Sequence, residues 1–284
     1  MKLPKFDYAA PSSVAEAVAL LGSRSGNAKA LAGGQSLIPI LAFRLAAPEL
    51  LVDLRRIKGL DRIEIGADGV RLGARVRWCD IEADKRLASA HPLLAEAVTH
   101  IAHYQIRNRG TVGGSLAHAD PAAELPGIAV ACEGEIAISG GSGTRIAPAG
   151  DFFTGPLMTS LAPDELITEL RLPPWPTGRR WAFLEFALRH GDFALSGVAL
   201  FYDLVAGRAK NAHVAVIGAA DRPRRLASVE AALEGKIVDA AAIEQAAAAA
   251  RAEVDPPSDL HAPAEYRRAL TGTLVERALQ RAAG

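Results

Sequence analysis

The sequence has few of the residues that mark several common protein classes. Among its 284 residues there are two cysteines, Cys79 and Cys132, which stand far apart and belong to no paired motif. Two isolated thiols are too few to hold a zinc ion or an iron–sulfur cluster, so we expect ordinary reduced thiols. Lys plus Arg, at 32, equal Asp plus Glu, also at 32. The chain therefore lacks the excess of basic charge that nucleic-acid-binding proteins use, and we expect no nucleic-acid partner.

Long hydrophobic runs are absent too. No apolar segment reaches the roughly 20 residues that a membrane-spanning helix needs, and residues 1–13 lack the apolar stretch of a signal peptide. We therefore expect no membrane span and a cytoplasmic location, either free or at the inner face of the membrane. Half of the residues are hydrophobic. At this length that is enough for two or three compact units, and it excludes a globally disordered chain.

The order of apolar segments and turns predicts an α+β protein of three units. Residues 1–56 form a small β-α-β unit, whose helix at 12–22 begins at a capping serine, Ser12 or Ser13. Residues 57–176 alternate short strands with glycine-rich turns and two helices. Residues 177–284 begin with three strands that predict an antiparallel meander, and alanine-rich helices follow.

Two adjacent-glycine pairs are the most informative local feature. Each pair is followed at once by side chains that can donate a hydrogen bond, and the two lie in segments 31–37 and 110–116. The candidate ligand-binding residues in these segments are Leu31, Ala32, Gly33, Gly34, Gln35, Ser36, Leu37, Thr111, Gly113, Gly114 and Ser115.

Glycine pairs suit a phosphate-binding loop because glycine accepts positive φ and lets the backbone approach a ligand closely. Successive N–H groups then converge on an anion, and two such loops could hold the two phosphates of a pyrophosphate. The alternative is that both pairs are simply tight turns. Neither segment carries the glycine spacing of a dinucleotide-binding Rossmann fold or of a nucleotide triphosphatase.

Three longer segments carry a family resemblance. They are LAGGQSLIPILAFRLAAPELLVDLRRI at 31–57, QIRNRGTVGGSLAHADPAAELP at 105–126 and EFALRHGDFALSGVAL at 185–200. In order and spacing they resemble the FAD-binding medium subunits of the xanthine dehydrogenase and aerobic carbon monoxide dehydrogenase family, the molybdenum hydroxylases. The resemblance extends from residue 6 to residue 279.

The resemblance implies a FAD-binding fold of the p-cresol methylhydroxylase type and a C-terminal domain with a three-stranded antiparallel sheet and helices. It implies that residues 32–36 and 111–115 hold the FAD pyrophosphate. It further implies that Glu124 lies near the adenosine side, that Ile167 packs on the adenine, and that Phe193 covers one face of the flavin. Many relatives carry Lys near the flavin carbonyls, whereas this chain has Leu184-Glu185 there, and Gln35 replaces a His of some members.

The family resemblance also implies the function. The implied role is that of an oxidoreductase subunit, which would carry FAD and pass electrons from two [2Fe–2S] clusters in a small partner subunit to an external acceptor. Hydroxylation would occur in a large molybdenum-cofactor subunit, and the assembly would be a dimer of heterotrimers. No catalytic or metal-binding residue is expected in this chain. The alternatives are a self-sufficient FAD oxidase of the same fold and an interaction protein that has lost the cofactor.

Overall fold

The computed structural model describes residues 2–284, and its first sheet is built from the N-terminal residues. Its strands are parallel and lie in the order β1-β3-β2, with two helices between them in sequence. The elements are β1 (Asp7–Ala9), α1 (Val14–Gly22), β2 (Ala28–Leu31), α2 (Leu37–Ala42) and β3 (Leu50–Asp53). The edge strand β1 was not part of the predicted β-α-β unit. Its three residues are too few to show a strand pattern in the sequence.

The middle of the chain forms an antiparallel five-stranded sheet in the order β4-β5-β10-β6-β7, with a two-stranded ribbon, β8-β9, beside it. Its strands are β4 (Ile63–Gly66), β5 (Gly69–Gly73), β6 (Glu135–Gly140), β7 (Gly143–Pro148), β8 (Phe153–Gly155), β9 (Met158–Thr159) and β10 (Leu166–Leu172). Its helices are α3 (Trp78–Ala83), α4 (Leu87–Ala90), α5 (Pro92–His100), α6 (Tyr104–Arg107), α7 (Val112–His118), α8 (Glu124–Ala131) and α9 (Ala149–Phe152).

The third sheet is antiparallel and has four strands in the order β11-β12-β13-β14. Its elements are β11 (Arg180–Phe186), β12 (Ser196–Val205), β13 (Arg208–Ile217), β14 (Arg224–Arg225), α10 (Ala227–Leu233), α11 (Ala240–Glu253) and α12 (Ala264–Ala283). The prediction of three strands was therefore one short. The missed strand has two residues, and an ion pair with Glu230 anchors its Arg225.

The third sheet is buried on both faces. Along β12, Ala199 and Phe201 join the core beneath the middle sheet, whereas Val198 and Leu200 pack towards the C-terminal helices. Alternate side chains of a strand point to opposite faces, so one strand contributes to two cores. The three sheets follow the predicted units 1–56, 57–176 and 177–284. The division into three domains remains a prediction, since the second and third units share a core.

Helix α1 begins as predicted at a serine cap. The Ser13 hydroxyl accepts a hydrogen bond from the Glu16 amide at 3.2 Å, and the Glu16 carboxylate in turn accepts one from the Ser12 amide at 2.8 Å. Of the two candidates, Ser13 is thus the cap. No helix among residues 2–284 is both long and apolar enough to cross a membrane.

We expect Ser13→Ala to lower the free energy of unfolding by about 1 kcal/mol, since the first turn loses a capped amide. Ser12→Ala is the matched control, because its backbone bond to Glu16 survives and only a long hydroxyl contact of 3.4 Å with Glu16 is lost. Urea denaturation of both variants checks this. Equal losses in the two variants would contradict the assignment of Ser13 as the cap.

Candidate functional site

A cleft of about 790 Å³ brings the two glycine segments together. Its walls come from the end of β2, the start of α7, the β9–β10 connection and a short segment, 191–193, that precedes β12. A volume of this size lies in the range of small-molecule and cofactor sites. The cleft is therefore the main candidate for a ligand site.

The first glycine segment is an open loop between β2 and α2. Gly34 has φ +76°, a value that favours glycine. Within the described chain, the backbone N–H groups of residues 33–36 donate to no protein acceptor, and the Ser36 hydroxyl makes no capping bond. The Gln35 amide group turns back to the Gly33 carbonyl at 3.3 Å. Four successive free donors next to a cleft form a surface that an anion satisfies.

The second glycine segment differs from what the sequence analysis expected. It is the first turn of α7, not a positive-φ loop, and its amides already have acceptors: Gly113 donates to the Ala74 carbonyl at 2.8 Å and Gly114 to the Thr111 hydroxyl at 3.2 Å. Its glycines are needed for close packing instead. A Cβ on Gly113 would lie 2.6 Å from the Ala74 Cβ.

The two segments touch through their backbones. A Cβ built on Gly33 would lie 2.1 Å from the carbonyl oxygen of Arg109, which is a separation that no side-chain rotation can relieve. A Cβ on Gly110 would lie 2.5 Å from the indole nitrogen of Trp78. The glycines therefore set the spacing across the cleft as well as the shape of each loop.

Acidic and imidazole side chains form part of the cleft wall after α7. His118, Asp120 and Glu124 all line it, and Glu124 is the first residue of α8. Burial raises the pKa of Glu124 to about 8, and the neighbouring Glu185 carboxylate acts in the same direction. Burial and the neighbouring carboxyl group thus both disfavour the charged form of Glu124 and raise its pKa.

Ile167 does not lie where the sequence analysis expected it. Its side chain is buried in the core under the middle sheet and is not among the residues that line the cleft. The register of β10 shifts between Ile167 and Glu169, and such an irregularity changes which side chains face which side. Leu157 and Leu161 supply apolar surface to the cleft instead.

Phe193 stands at the end of the cleft nearest the third sheet. It lines the cleft with a ring that is 67% exposed, and Gly191, at φ +86°, makes the turn before it. A Cβ on Gly191 would lie 2.4 Å from a ring nitrogen of His103. An exposed aromatic ring on a tightly placed turn is suited to pack on a flat ligand.

The sequence analysis missed a buried arginine that supports this turn. Arg267 of α12 is 4% exposed and donates to the carbonyls of Leu195, at 2.7 Å, and Gly218, at 3.0 Å, while it pairs with Asp259 at 2.6 Å. Next to it, the Thr271 and Ser196 hydroxyls share a hydrogen bond of 2.8 Å. An arginine in a helix of alternating charges gives no sign in sequence that it is buried.

Glu185 lies beside the cleft rather than in it. Its side chain is 7% exposed, and one carboxylate oxygen is 3.5 Å from Nδ1 of His100. It lines a second cavity of about 250 Å³, which shares Gly191 with the cleft. Where the family resemblance led us to expect Lys, the Glu185 carboxyl group therefore lies beside the His100 imidazole.

Comparison with known proteins gives matches over nearly the whole chain. A sequence profile for the FAD binding domain in molybdopterin dehydrogenase matches residues 4–175, and one for the CO dehydrogenase flavoprotein C-terminal domain matches residues 181–282. The nicotine 6-hydroxylase medium subunit of Paenarthrobacter nicotinovorans is 41% identical over 279 residues, which cover 98% of each chain. The carbon monoxide dehydrogenase medium chain of Hydrogenophaga pseudoflava is 38% identical over 279 residues, 98% of this chain and 97% of the relative.

Solved structures agree with these relatives. A structure of carbon monoxide dehydrogenase from Hydrogenophaga pseudoflava, lacking the Mo-pyranopterin moiety of the molybdenum cofactor, superposes with a TM-score of 0.97 at 40% identity and covers 99% of this chain and 98% of its own. Quinoline 2-oxidoreductase from Pseudomonas putida 86 superposes with a TM-score of 0.94 at 35% identity, covering 100% of this chain and 98% of its own. The expected α+β fold of the p-cresol methylhydroxylase type is confirmed.

Proposed function

This chain belongs to the family of FAD-binding medium subunits of the molybdenum hydroxylases, and we propose from this premise that it carries electrons from a partner subunit to an external acceptor. The chain has the FAD-binding domain of this family. The relatives are subunits of oxidoreductases, and several are called medium subunits or medium chains of their enzymes. The proposal places this chain in the same position, between a reducing partner and an external acceptor.

The single observation that supports the cofactor site best is the open loop at 33–36. Its four free N–H groups and the uncapped Ser36 hydroxyl can donate to phosphate oxygens. Across the cleft, Thr111 and Ser115 add hydroxyl groups at the start of α7. We assign the pyrophosphate of FAD to this place, with Leu31, Ala32 and Leu37 as apolar flanks of the loop.

The flat ends of FAD then fall towards opposite ends of the cleft. We assign the isoalloxazine to the end where Phe193 stands, because its exposed ring can cover one face. The adenosine extends towards the β2 end, where Leu161 supplies apolar surface and Ile167 does not reach. Glu124 lies on the wall after α7, and we propose that it stands near the adenosine side of the cofactor.

When bound, FAD supplies the redox chemistry, since the isoalloxazine accepts electrons and releases them. The chain's residues bind the pyrophosphate, cover the ring and exclude water, and none acts as a nucleophile. We propose that electrons come from two [2Fe–2S] clusters of a small partner subunit and that substrate is oxidised in a large molybdenum-cofactor subunit. The proposed assembly is a dimer of heterotrimers, and the proposed location is the cytoplasm, where the free Cys79 and Cys132 would stay reduced.

A visible absorption spectrum of the purified chain tests the cofactor assignment first. We expect a flavin spectrum and about one FAD per chain released on denaturation, since the cleft has one loop of free donors. FAD titration of a colourless preparation extends the test. A chain that holds no FAD and binds none would favour the cofactor-free interaction protein, and oxidation of a substrate by the chain alone would favour the self-sufficient oxidase.

Native purification of the complex tests the partners separately. We expect the chain to co-purify with two further subunits, one carrying molybdenum and one carrying iron and sulfide, at a mass of two heterotrimers. Elemental analysis and native mass spectrometry give both quantities. A homogeneous FAD-bound chain without partners would contradict the assembly and leave the cofactor assignment intact.

A further inference from the structure

The turn that joins β8 to β9 puts a large apolar side chain at the edge of the cleft. Leu157 is 56% exposed and lines the cleft, whereas Met158, at 59% exposed, is not among the lining residues. Thr159 and Leu161 line the cleft as well. Alternate residues of an extended chain share a face, so the ribbon turns one face towards the cleft and Met158 points away from it.

The backbone at Leu157 has a conformation that leucine rarely adopts. Its φ is +57°, and Pro156 precedes it in the two-residue loop between the strands. A turn with proline first and positive φ second normally has glycine or asparagine in the second place, because a β-carbon is crowded there. An exposed leucine in such a turn does not help the chain to fold. A strained residue of this kind points to a role in binding.

A second residue of the same kind holds the turn in place. The Leu157 amide donates to the Ala119 carbonyl at 3.1 Å, and Ala119 itself has φ +52°. Ala119 follows the last residue of α7, at a position where glycine is usual. The hydrogen bond therefore joins two residues that adopt positive φ although each has a β-carbon. It also connects the turn to the helix whose first turn presents the Thr111 and Ser115 hydroxyls to the cleft.

The base of the β8-β9 ribbon is fixed in the core. Phe152 and Phe153 are buried, and their rings meet edge to face with centroids 5.2 Å apart. The Ser160 amide donates to the Phe152 carbonyl at 2.9 Å, and Phe153 pairs with Thr159 across the ribbon. The ribbon is thus held at its base by packing and at its tip by a hydrogen bond. Leu157 therefore has a fixed place at the edge of the cleft.

Resting on the FAD site proposed above, we propose that Leu157 is an additional cofactor-holding residue, which the strained turn presents to a flat part of bound FAD. An apolar side chain suits a ring rather than the phosphates, which the loop at 33–36 is placed to bind. The contact removes about the exposed half of the side chain from water. Because the turn is fixed in advance, little conformational entropy is lost on binding. The consequence is slower release of FAD.

The rate at which FAD leaves the full chain on dilution, followed by flavin fluorescence, tests the contact. Leu157→Ala keeps a β-carbon at the strained position and removes the rest of the side chain. We expect FAD to leave this variant roughly 3- to 12-fold faster, because the burial of about half a leucine side chain is lost. Met158→Ala is the matched control, since it removes a similarly exposed apolar side chain that does not line the cleft. Its release rate should match that of the wild type.

Thermal melting of the cofactor-free chain tests the strain separately. Leu157→Gly adopts the positive φ without a crowded β-carbon, so it should melt at a higher temperature than Leu157→Ala, although FAD leaves it at least as fast. Ala206→Gly is the control for strain relief. Ala206 has φ +50° in the β12–β13 turn and does not line the cleft, so its substitution should raise the melting temperature and leave FAD release unchanged.

The outcomes separate this contact from the FAD site itself. Equal release rates for Leu157→Ala and Met158→Ala, in a chain whose wild type binds FAD, would overturn the contact and leave the FAD site intact. Melting of Leu157→Gly below Leu157→Ala would overturn the strained turn. A wild type that binds no FAD would remove the FAD site and the contact together.

Discussion

Gly33→Ala is expected to weaken FAD binding by about 5- to 150-fold, from an overpacking cost of about 1–3 kcal/mol at about 1.4 kcal/mol per tenfold change in affinity. The added Cβ would lie 2.1 Å from the Arg109 carbonyl oxygen and 2.9 Å from its carbon. Both atoms belong to the backbone, so the two glycine segments must move apart. That movement changes the spacing on which two-sided contact with a pyrophosphate depends. Equilibrium dialysis with FAD, together with thermal melting, measures the effect.

Gly66→Ala is the matched control for this substitution. Gly66 ends β4 without a positive φ, and a Cβ there meets nothing within 4 Å. We expect its FAD affinity and melting temperature to stay close to those of the wild type. If Gly33→Ala binds FAD as tightly as Gly66→Ala does, the close approach of the two segments is not what positions the cofactor.

Arg267→Met is expected to lower the free energy of unfolding by about 2–4 kcal/mol, because two buried carbonyls lose their donor at about 1–3 kcal/mol each, whereas Asp259, at 43% exposure, returns to solvent at little cost. The substitution leaves the carbonyls of Leu195 and Gly218 without a donor in a buried place, and unsatisfied groups of this kind account for much of the cost. Methionine keeps an apolar side chain of similar length, so the loss of packing is small. The neighbouring turn also carries Phe193, and FAD should therefore dissociate faster from the variant.

Arg268→Met separates the buried role from the general loss of a positive charge. Arg268 is 40% exposed on its side chain, and its partner Asp255, at 3.7 Å, is almost fully exposed. An exposed pair of this kind contributes little, so we expect a change within about 0.5 kcal/mol. Urea denaturation of both variants gives the comparison. Similar losses at the two positions would show that Arg267 does not clamp the turn.

Short-range order could be predicted well from the sequence. The Ser13 cap acts over three residues, and alanine-containing helices follow the C-terminal strands as the sequence predicts. The two glycine segments both line one cleft, and their contact with a cofactor stays a prediction. These features depend on neighbours in the chain, and such neighbours leave regular spacings that can be read without a fold.

The different roles of the two glycine pairs were not visible in the sequence. Both have the same letters, yet one is an open loop with free amides and the other is a helix start packed against Ala74. The two pairs differ in whether their backbone amides have an acceptor within the protein. The acceptor of the Gly113 amide, the Ala74 carbonyl, is 39 residues away in the sequence. Local sequence does not specify which distant carbonyl satisfies an amide.

The sequence by itself determined the family resemblance, the α+β class and the antiparallel character of the C-terminal sheet. Only the tertiary structure decided that Ile167 is core, that Arg267 reaches across 72 residues to Leu195, and that Glu185 lies 3.5 Å from His100. The physical reason is that burial and charge pairing depend on which faces pack together. A shift in strand register or a helix placed against a turn changes both, without changing any local pattern.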